Sequence, residues 1–411
     1  MESVAVVGLG RVGLPLALSF ADRGLSVIGV ERQPAVLDQL SAGQMPFQET
    51  GTQEQLDRVL RTDRFERTRA VQDAARADHI VLTLGTPSHV HIEIDMSQIR
   101  EVVDDLLPVL REGHSLILRS TVAPGTTDWV AGYIEQRRGF RVGEELFVAH
   151  VPERIAENHF IEEISTLPCL VGGVGESSGS RAAELFEVFG TEIVQTTPVQ
   201  AELAKIWTNI LRYTQFALPN LLMMESEQYG ANVFDVIELI NRHYPRGGMA
   251  APGLTAGACL RKDFTFSEER SNAPGMLLAV SRVHETVPLF LVNGLKARMG
   301  GLRDRKVAVL GLTFKRDSDD ARDSLSYKLV RLLERELAHV ARHDPHVPAE
   351  SEPLESALEG ADAVAVATNH SSFEGLLERL TDGTLLVAPW NVTGSGRVFG
   401  TVRARAAVEP A

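Results

Sequence analysis

"SVAVVGLGRVG" (residues 3–13) decides the fold class. A β-branched run of strand length leads into Gly8, Gly10 and Gly13, and "LPLALSFADRG" (14–24) behind them has helical composition. Strand, tight turn through Val12 and helix are expected, with the helix N-terminus facing a pyrophosphate. The next run, "SVIGVE" (26–31), closes on Glu31. It lies about twenty residues on, where a carboxylate accepts hydrogen bonds from an adenosine ribose diol. Glu31 favours NAD over NADP, while its neighbour Arg32 leaves NADP open. A ligand-free tight turn is the plain alternative for the glycines alone.

Outward from this unit the alternation continues. "HIVLTLG" (79–85), "SLILRST" (115–121) and "LFVAHV" (146–151) are strand-sized apolar runs separated by helix-period segments, the signature of βαβ units and a parallel sheet. After "TTPVQ" (196–200) the pattern changes. Thr197 can cap a helix with Pro198 at its first position and Gln200 three residues after the cap. Helical periodicity runs to about Tyr229, with a kink expected at Pro219, and resumes at 232–242 and 274–299.

A third region repeats the first: "KVAVLG" (306–311), "HVARHD" (339–344), "ADAVAVAT" (361–368) and "TLLVAP" (384–389). "VAVVGLG" (4–10) echoes "VAVLGLT" (307–313), and "ADHIVLTLGT" (77–86) echoes "ADAVAVATNH" (361–370). The expected architecture is α/β, two Rossmann-like parallel-sheet domains (1–196 and 301–411) joined by a central helical segment (197–300). Residues beyond Thr401 read as a frayed tail.

The totals narrow the function class. The 411 residues, 44% hydrophobic and 23% charged, are those of a multi-domain globular protein. Lys+Arg 41 against Asp+Glu 55 gives −14, which argues against nucleic-acid binding but not against a small anion held by local cations. Two cysteines make no disulfide framework, and "MESVAVVGLG" (1–10) enters a strand without a signal-peptide pattern. No membrane association and a cytoplasmic location are expected.

Lys205 and Asn209 in "AELAKIWTNILRY" (201–213) share one helix face at i,i+4. Such a pair can hold a substrate hydroxyl and steady an oxyanion, or it is a solvated polar stripe. "AGACLRKD" (256–263) places Cys259 beside Arg261, Lys262 and Asp263. Cations favour a thiolate and Asp263 offers a base, although a lone cysteine is also a common inert core residue. "STVAPGTT" (120–127) puts hydroxyls at a strand end, "VPERIAEN" (151–158) brings Glu153, Arg154 and Glu157 to the next, and "GLTFKRDSDDARDS" (311–324) offers Lys315 and Arg322. No His/Cys/Asp spacing suggests a metal.

Taken together, "GLGRVGLPLA" (8–17), Thr86–Pro87, "STVAPGTT", "PERIAE" (152–157), "LAKIWTNILR" (203–212), the Cys259 segment with "KD", and "GLTFKRDSDDARDS" resemble the UDP-glucose/GDP-mannose dehydrogenase family along nearly the whole chain. "PERIAEN…LPCLVGG" and "NRHYPR" (241–246) are similar to its UDP-N-acetylmannosamine and UDP-N-acetylglucosamine branch. The resemblance implies a four-electron, NAD-dependent oxidation of a UDP-sugar C6 alcohol to a carboxylate through a cysteine thioester. It implies Cys259 as nucleophile and Lys205, Asn209 and Asp263 around the reacting carbon. Glu153 joins Asp263 as a candidate base, and Thr121 places water or cofactor. Gly8, Gly10, Val12, Gly13, Glu31, Thr86, Thr121, Glu157, Lys262 and Arg322 match positions near NAD. Glu153, Arg154, Lys205, Asn209, Gly257 and Lys315 match positions near the UDP-sugar. Arg246 matches an arginine donated across a dimer interface, so a homodimer or higher homo-oligomer through the central helices is expected.

The chain departs from the family pattern in three places. The Cys259 segment "PGLTAGAC" (252–259) is one residue shorter and has lost glycines, so Thr255, Ala256 and Ala258 reshape the sugar pocket in this reading. Asn158 replaces a glycine, and "LVAPWN" (386–391) lacks an acidic residue. UDP-glucose or another NDP-sugar is the alternative substrate. A two-electron β-hydroxyacid dehydrogenase and a non-catalytic nucleotide-sugar-binding homologue are alternatives from other classes, the first because it needs only the dinucleotide fold and Lys205–Asn209.

Overall fold

The computed structural model describes residues 2–86, 88–89, 93–255, 257, 259–269, 271–272, 274–393 and 396–402. Pro87, Ala256, Ala258 and the tail from 403 therefore lie outside the described residues. Two compact units are present: Met1–Thr208 with Thr265–Arg270, and Asn209–Phe264 with Ser271–Ala411.

In the first unit the strands are β1 (Ser3–Val7), β2 (Ser26–Val30), β3 (Phe65–Thr68), β4 (His79–Leu82), a small hairpin of β5 (Ser88–His89) and β6 (Glu93–Ile94), β7 (Ser115–Leu118), β8 (Phe147–His150), β9 (Cys169–Gly173) and β10 (Ile193–Thr196). Eight of them form one sheet in the order β10-β9-β8-β7-β4-β1-β2-β3. Neighbours are parallel except β8 and β9. Helices α1 (Gly13–Asp22), α2 (Pro34–Ser41), α3 (Thr52–Val59), α4 (Ser97–Leu106), α5 (Thr126–Arg138), α6 (Phe160–Glu163) and α7 (Glu176–Phe186) fill the connections. Val4 and Val6 enter one apolar cluster while Ala5 and Val7 enter another. Successive strand residues face opposite sides, so a continuous apolar run means both faces are covered.

Helix α8 (Pro198–Gln228) follows, started by the expected reciprocal cap. Gln200 N donates to Thr197 Oγ1 and Thr197 N to Gln200 Oε1, both at 3.4 Å. It continues through Pro219. Then come α9 (Val233–Asn241), α10 (Leu260–Glu268) and α11 (Met276–Met299). Helix α10 falls between the segments where helical periodicity is expected, 232–242 and 274–299.

The second sheet has β11 (Lys306–Leu310), β12 (His339–His343), β13 (Ala363–Val366), β14 (Leu385–Val387) and β15 (Phe399–Thr401), ordered β12-β11-β13-β14-β15, with only β15 antiparallel to its neighbour. Helices α12 (Ser326–Arg335) and α13 (Leu354–Leu358) connect its first strands. Val307 and Val309 pack into one cluster and Ala308 and Leu310 into another, repeating the two-faced burial of β1.

Candidate functional site

In the first unit the glycine turn is built by close packing. A Cβ on Gly13 would lie 1.9 Å from Gly8 O and 2.3 Å from Thr83 Oγ1, and Gly8 has φ +98°. Those two glycines answer to the chain itself. Gly10 does not: a Cβ there would meet no described atom within 4 Å. The space beside Gly10, at the start of α1, fits a pyrophosphate approaching backbone N–H groups. Glu31 accepts from Leu9 N and Gln33 N, each at 2.9 Å, which holds its half-buried carboxylate against the turn. Val12 is half-buried at the N-cap of α1.

Thr86, Thr121 and Glu157, expected near the cofactor, lie in the same unit, whereas Lys262 and Arg322 lie in the second. Thr86 Oγ1 donates to Thr121 O at 2.8 Å, tying the ends of β4 and β7. Arg11, inside the glycine turn, donates to Glu157 Oε1 at 2.8 Å and covers the Phe47 ring. Asn158 adopts φ +66°, the left-handed geometry its predecessor glycine would supply. Buried Glu49 secures that corner by accepting from Asn158 N and Phe160 N, at 2.9 and 3.0 Å.

Glu153 is buried, and both carboxylate oxygens are occupied. Oε2 accepts from Arg119 Nη2 at 2.5 Å and Nε at 3.1 Å, and Oε1 from Ile155 N at 2.7 Å. Arg154 donates to Pro168 O at 2.5 Å. These bonds fold the "PERIAEN" corner onto the sheet, and Arg119 is a participant the sequence reading missed. Cys169 is half-buried nearby, its thiol pushed up to about 11 by burial. Half-buried Lys205 lies one turn beyond Glu202 on α8. Glu202 was also missed: its buried carboxylate accepts from Gly125 N, Thr127 N and Thr127 Oγ1 at 2.6, 2.9 and 2.6 Å, capping α5. Burial pushes its pKa up against those bonds. Burial and the cations Arg119 and Lys205 hold His150 neutral, with its pKa down to about 3.

In the second unit Asn209, Cys259 and Asp263 come together. Cys259 is exposed immediately before α10, and its carbonyl accepts from Asp263 N at 2.8 Å and Lys262 N at 3.2 Å. Asp263 is 0% exposed, and Asn209 Nδ2 donates to its Oδ2 at 2.6 Å. Its Oδ1 is buried without a hydrogen bond among the described residues, and Lys262 Nζ lies 3.7 Å away. A buried carboxylate oxygen left without a donor suits a proton or water from a substrate better than a structural role. Gly257 has φ +101°, and a Cβ there would sit 2.6 Å from the Phe314 ring.

Lys315 is half-buried in the long segment after β11, where its carbonyl accepts from Thr313 Oγ1 at 3.1 Å. Arg322 is exposed but clamps buried Asp320 with Nε at 2.9 Å and Nη2 at 2.6 Å. Arg246 is exposed, its Nε bonded to Tyr244 OH at 3.0 Å. Asp317, His346 and His370 bring potential metal-ligand atoms within 4.8 Å. His370 Nδ1 accepts from Asp317 N at 2.9 Å and Asp317 Oδ1 from Ser371 N at 2.8 Å, so those donor atoms already lock the surrounding loops.

Three stretches match one family in order. Residues 2–190 match the NAD binding domain of the UDP-glucose/GDP-mannose dehydrogenase family, 199–286 its central domain and 308–394 its UDP binding domain. The chain belongs to that family. It is an NAD-dependent nucleotide-sugar dehydrogenase, as the resemblance of its motif blocks implied. A family relative, the UDP-N-acetyl-D-mannosamine dehydrogenase of Pyrococcus horikoshii, is 31% identical over 91% of this chain and 90% of its own. The solved structure titled as UDP-D-ManNAc dehydrogenase from that organism superposes with a TM-score of 0.86, covering 90% of both chains. A UDP-glucose dehydrogenase from Pyrobaculum islandicum superposes at 0.83, with 28% identity and 94% of both chains covered. Among the described residues no helix is long and apolar enough to cross a membrane.

Proposed function

We propose that the chain oxidises the C6 alcohol of a UDP-N-acetylhexosamine, N-acetylmannosamine or N-acetylglucosamine, to the carboxylate in two NAD-dependent steps. The observation that carries this is the grouping of Cys259, Asn209 and buried Asp263, whose Oδ1 has no hydrogen bond among the described residues. NAD, when bound, takes the hydride in each oxidation. Asp263 accepts the hydroxyl proton of the first step, and Asn209 fixes that carboxylate while Lys205 steadies the developing oxyanion. The Cys259 sulfur then bonds to the aldehyde carbon as a thiohemiacetal, which the second oxidation converts to a thioester. Water activated by Asp263 displaces the sulfur, releasing carboxylate and restoring the thiol. With both Glu153 oxygens held by Arg119 and Ile155, Asp263 is the better-placed base.

The first α/β region, 1–196, holds NAD through Gly8, Gly10, Val12, Gly13, Glu31, Thr86, Thr121 and Glu157; Lys262 and Arg322, which match family positions near NAD, belong to the second unit. The last region, 301–411, takes the nucleotide through Lys315, with Gly257 in the same unit, while Glu153 and Arg154, which match sugar-side positions, belong to the first unit. Exposed Leu211, Leu218 and Leu221 along α8 support a second copy docking on the central helices, with Arg246 reaching the partner's site. Two cysteines outside any disulfide support a reducing, cytoplasmic setting. The N-acetylhexosamine assignment follows the named activity of the Pyrococcus relative, and the Pyrobaculum relative makes UDP-glucose the second reading.

The deciding experiment supplies limiting UDP-N-acetylmannosamine, UDP-N-acetylglucosamine and UDP-glucose in parallel and counts NADH per sugar. Two NADH and a uronate from an N-acetylhexosamine are expected. Cys259→Ser should stop after the first oxidation or trap an ester. One NADH per sugar, or a Cys259→Ser enzyme that still completes both steps, would overturn the thioester route.

A further inference from the structure

Gly253 opens the segment that ends at Cys259, and the chain grips its backbone with a side chain. Asn220 on α8, 0% exposed, donates from Nδ2 to Gly253 O at 2.9 Å and accepts at Oδ1 from Gly253 N at 2.8 Å. One carboxamide thus satisfies both polar groups of a buried residue outside any helix or strand. Asn220 Nδ2 also lies 3.2 Å from His284 Nδ1, and His284 Nε2 lies 2.8 Å from Tyr213 O. A carbonyl only accepts, so Nε2 carries the proton and Nδ1 receives the second amide hydrogen of Asn220. Burial keeps His284 neutral, its pKa down to about 4, and Tyr213 stacks on its ring at 4.2 Å.

The surroundings of Gly253 leave no room for a side chain. A Cβ there would lie 2.3 Å from Trp390 ring atoms, and that indole is anchored by Nε1 donating to Ala367 O at 2.8 Å. Further along the segment, Gly257 abuts Phe314.

We infer that Asn220, oriented by His284, is a positioning residue for Cys259. Its two-way bond to Gly253 fixes where the segment departs, and the Trp390 ring closes the space beside Gly253. The inference rests on Cys259 being the nucleophile. Asn220 touches no reacting atom; it acts through the backbone that delivers the thiol to the first turn of α10, where the helix terminus favours a thiolate.

The test uses the full chain with Asn220→Ala and Asn220→Asp. Iodoacetamide labelling of Cys259 is followed by peptide mass spectrometry, with half-buried Cys169 as the reference inside each molecule. NADH formation from UDP-N-acetylmannosamine supplies kcat and the KM for NAD. Asn220→Ala should slow Cys259 labelling about threefold to fivefold, the size of a lost helix-terminus contribution, and kcat about tenfold. Cys169 labelling and the KM for NAD should not move. Asn220→Asp supplies a signature that general loosening lacks. Only the protonated acid can donate to Gly253 O, so its kcat relative to the unaltered enzyme should climb as pH falls from about 9 to about 6. Unchanged labelling and kcat in Asn220→Ala would overturn the inference. Should that variant fail to fold, a flat pH ratio for Asn220→Asp would do the same. A Cys259→Ser enzyme that still yields two NADH per sugar would instead overturn the nucleophile assignment, whatever the Asn220 variants show.

Discussion

The two α/β regions begin alike and spend their second-strand acid differently. In the first, β1 runs into a three-glycine turn that opens α1 at once, and Glu31 at the end of β2 accepts from Leu9 N in that turn. In the second, β11 runs into the long polar segment before α12, and Asp344 after β12 accepts from Leu312 N and Thr313 N at 2.6 and 3.0 Å. Glu31 stays half-buried, with lone pairs available to a ribose. Asp344 is 1% exposed and also takes His346 N at 2.8 Å and His370 Nε2 at 3.1 Å. One supersecondary unit therefore serves two purposes. A short glycine turn leaves its acid for a ligand, while a long segment consumes its acid to hold itself in shape.

The sharpest way to break that comparison is at the glycines. Gly13→Ala drives a Cβ into Gly8 O, and a loss of NAD affinity beyond about a hundredfold, on the order of 3 kcal/mol, is expected by titration. Gly10→Ala meets no described atom, so it should keep its melting temperature and still lose about tenfold in NAD affinity. If Gly10→Ala binds NAD normally, the open space beside it is not the pyrophosphate site.

The acids come next. Asp344→Asn puts a donor where four donors converge and should cost about 2–4 kcal/mol in denaturant unfolding. Glu31→Gln should cost about 1 kcal/mol of stability while raising the KM for NAD roughly tenfold. Equal stability losses for the two would erase the distinction drawn here.

A smaller effect is expected with pH. Burial opposes ionisation of Asp344, but the His370 hydrogen bond and the backbone N–H groups outweigh it and bring the pKa to about 2 from 3.8. A depressed folded-state value means the contribution is whole above about pH 4 and is lost as pH falls towards 2. Acid titration followed by tryptophan fluorescence should show on the order of 2 kcal/mol vanishing in that window, and Asp344→Asn should flatten it. The smallest effect lies outside both regions: Thr197→Ala removes the α8 cap and should cost about 1 kcal/mol, seen as a small drop in melting temperature.

Much of the local geometry was legible because its residues answer to local rules. The glycine turn, Glu31, the Thr197–Gln200 cap and left-handed Asn158 each follow from backbone geometry within a few residues. Arg119, Glu202, Asn220 and His284 escaped because each acts on a partner distant in sequence. Arg119 meets Glu153, Glu202 caps a helix 75 residues away, and Asn220 meets His284 across 64. Nothing in the spacing of an arginine or an asparagine announces such a partner. Trp390 likewise meets Gly253, far from it in sequence.

The sequence by itself determined the two parallel sheets, the glycine turn and the order of the family's blocks, because strand runs, turns and caps are encoded by residues near one another. Only the tertiary structure decided which charges are spent: Glu153 on Arg119, Asp344 on the segment after β11, and Asp263 with one oxygen held by Asn209 and the other without a hydrogen bond among the described residues. Burial makes every donor count, and which donors reach a buried carboxylate is settled by packing between segments far apart in the chain.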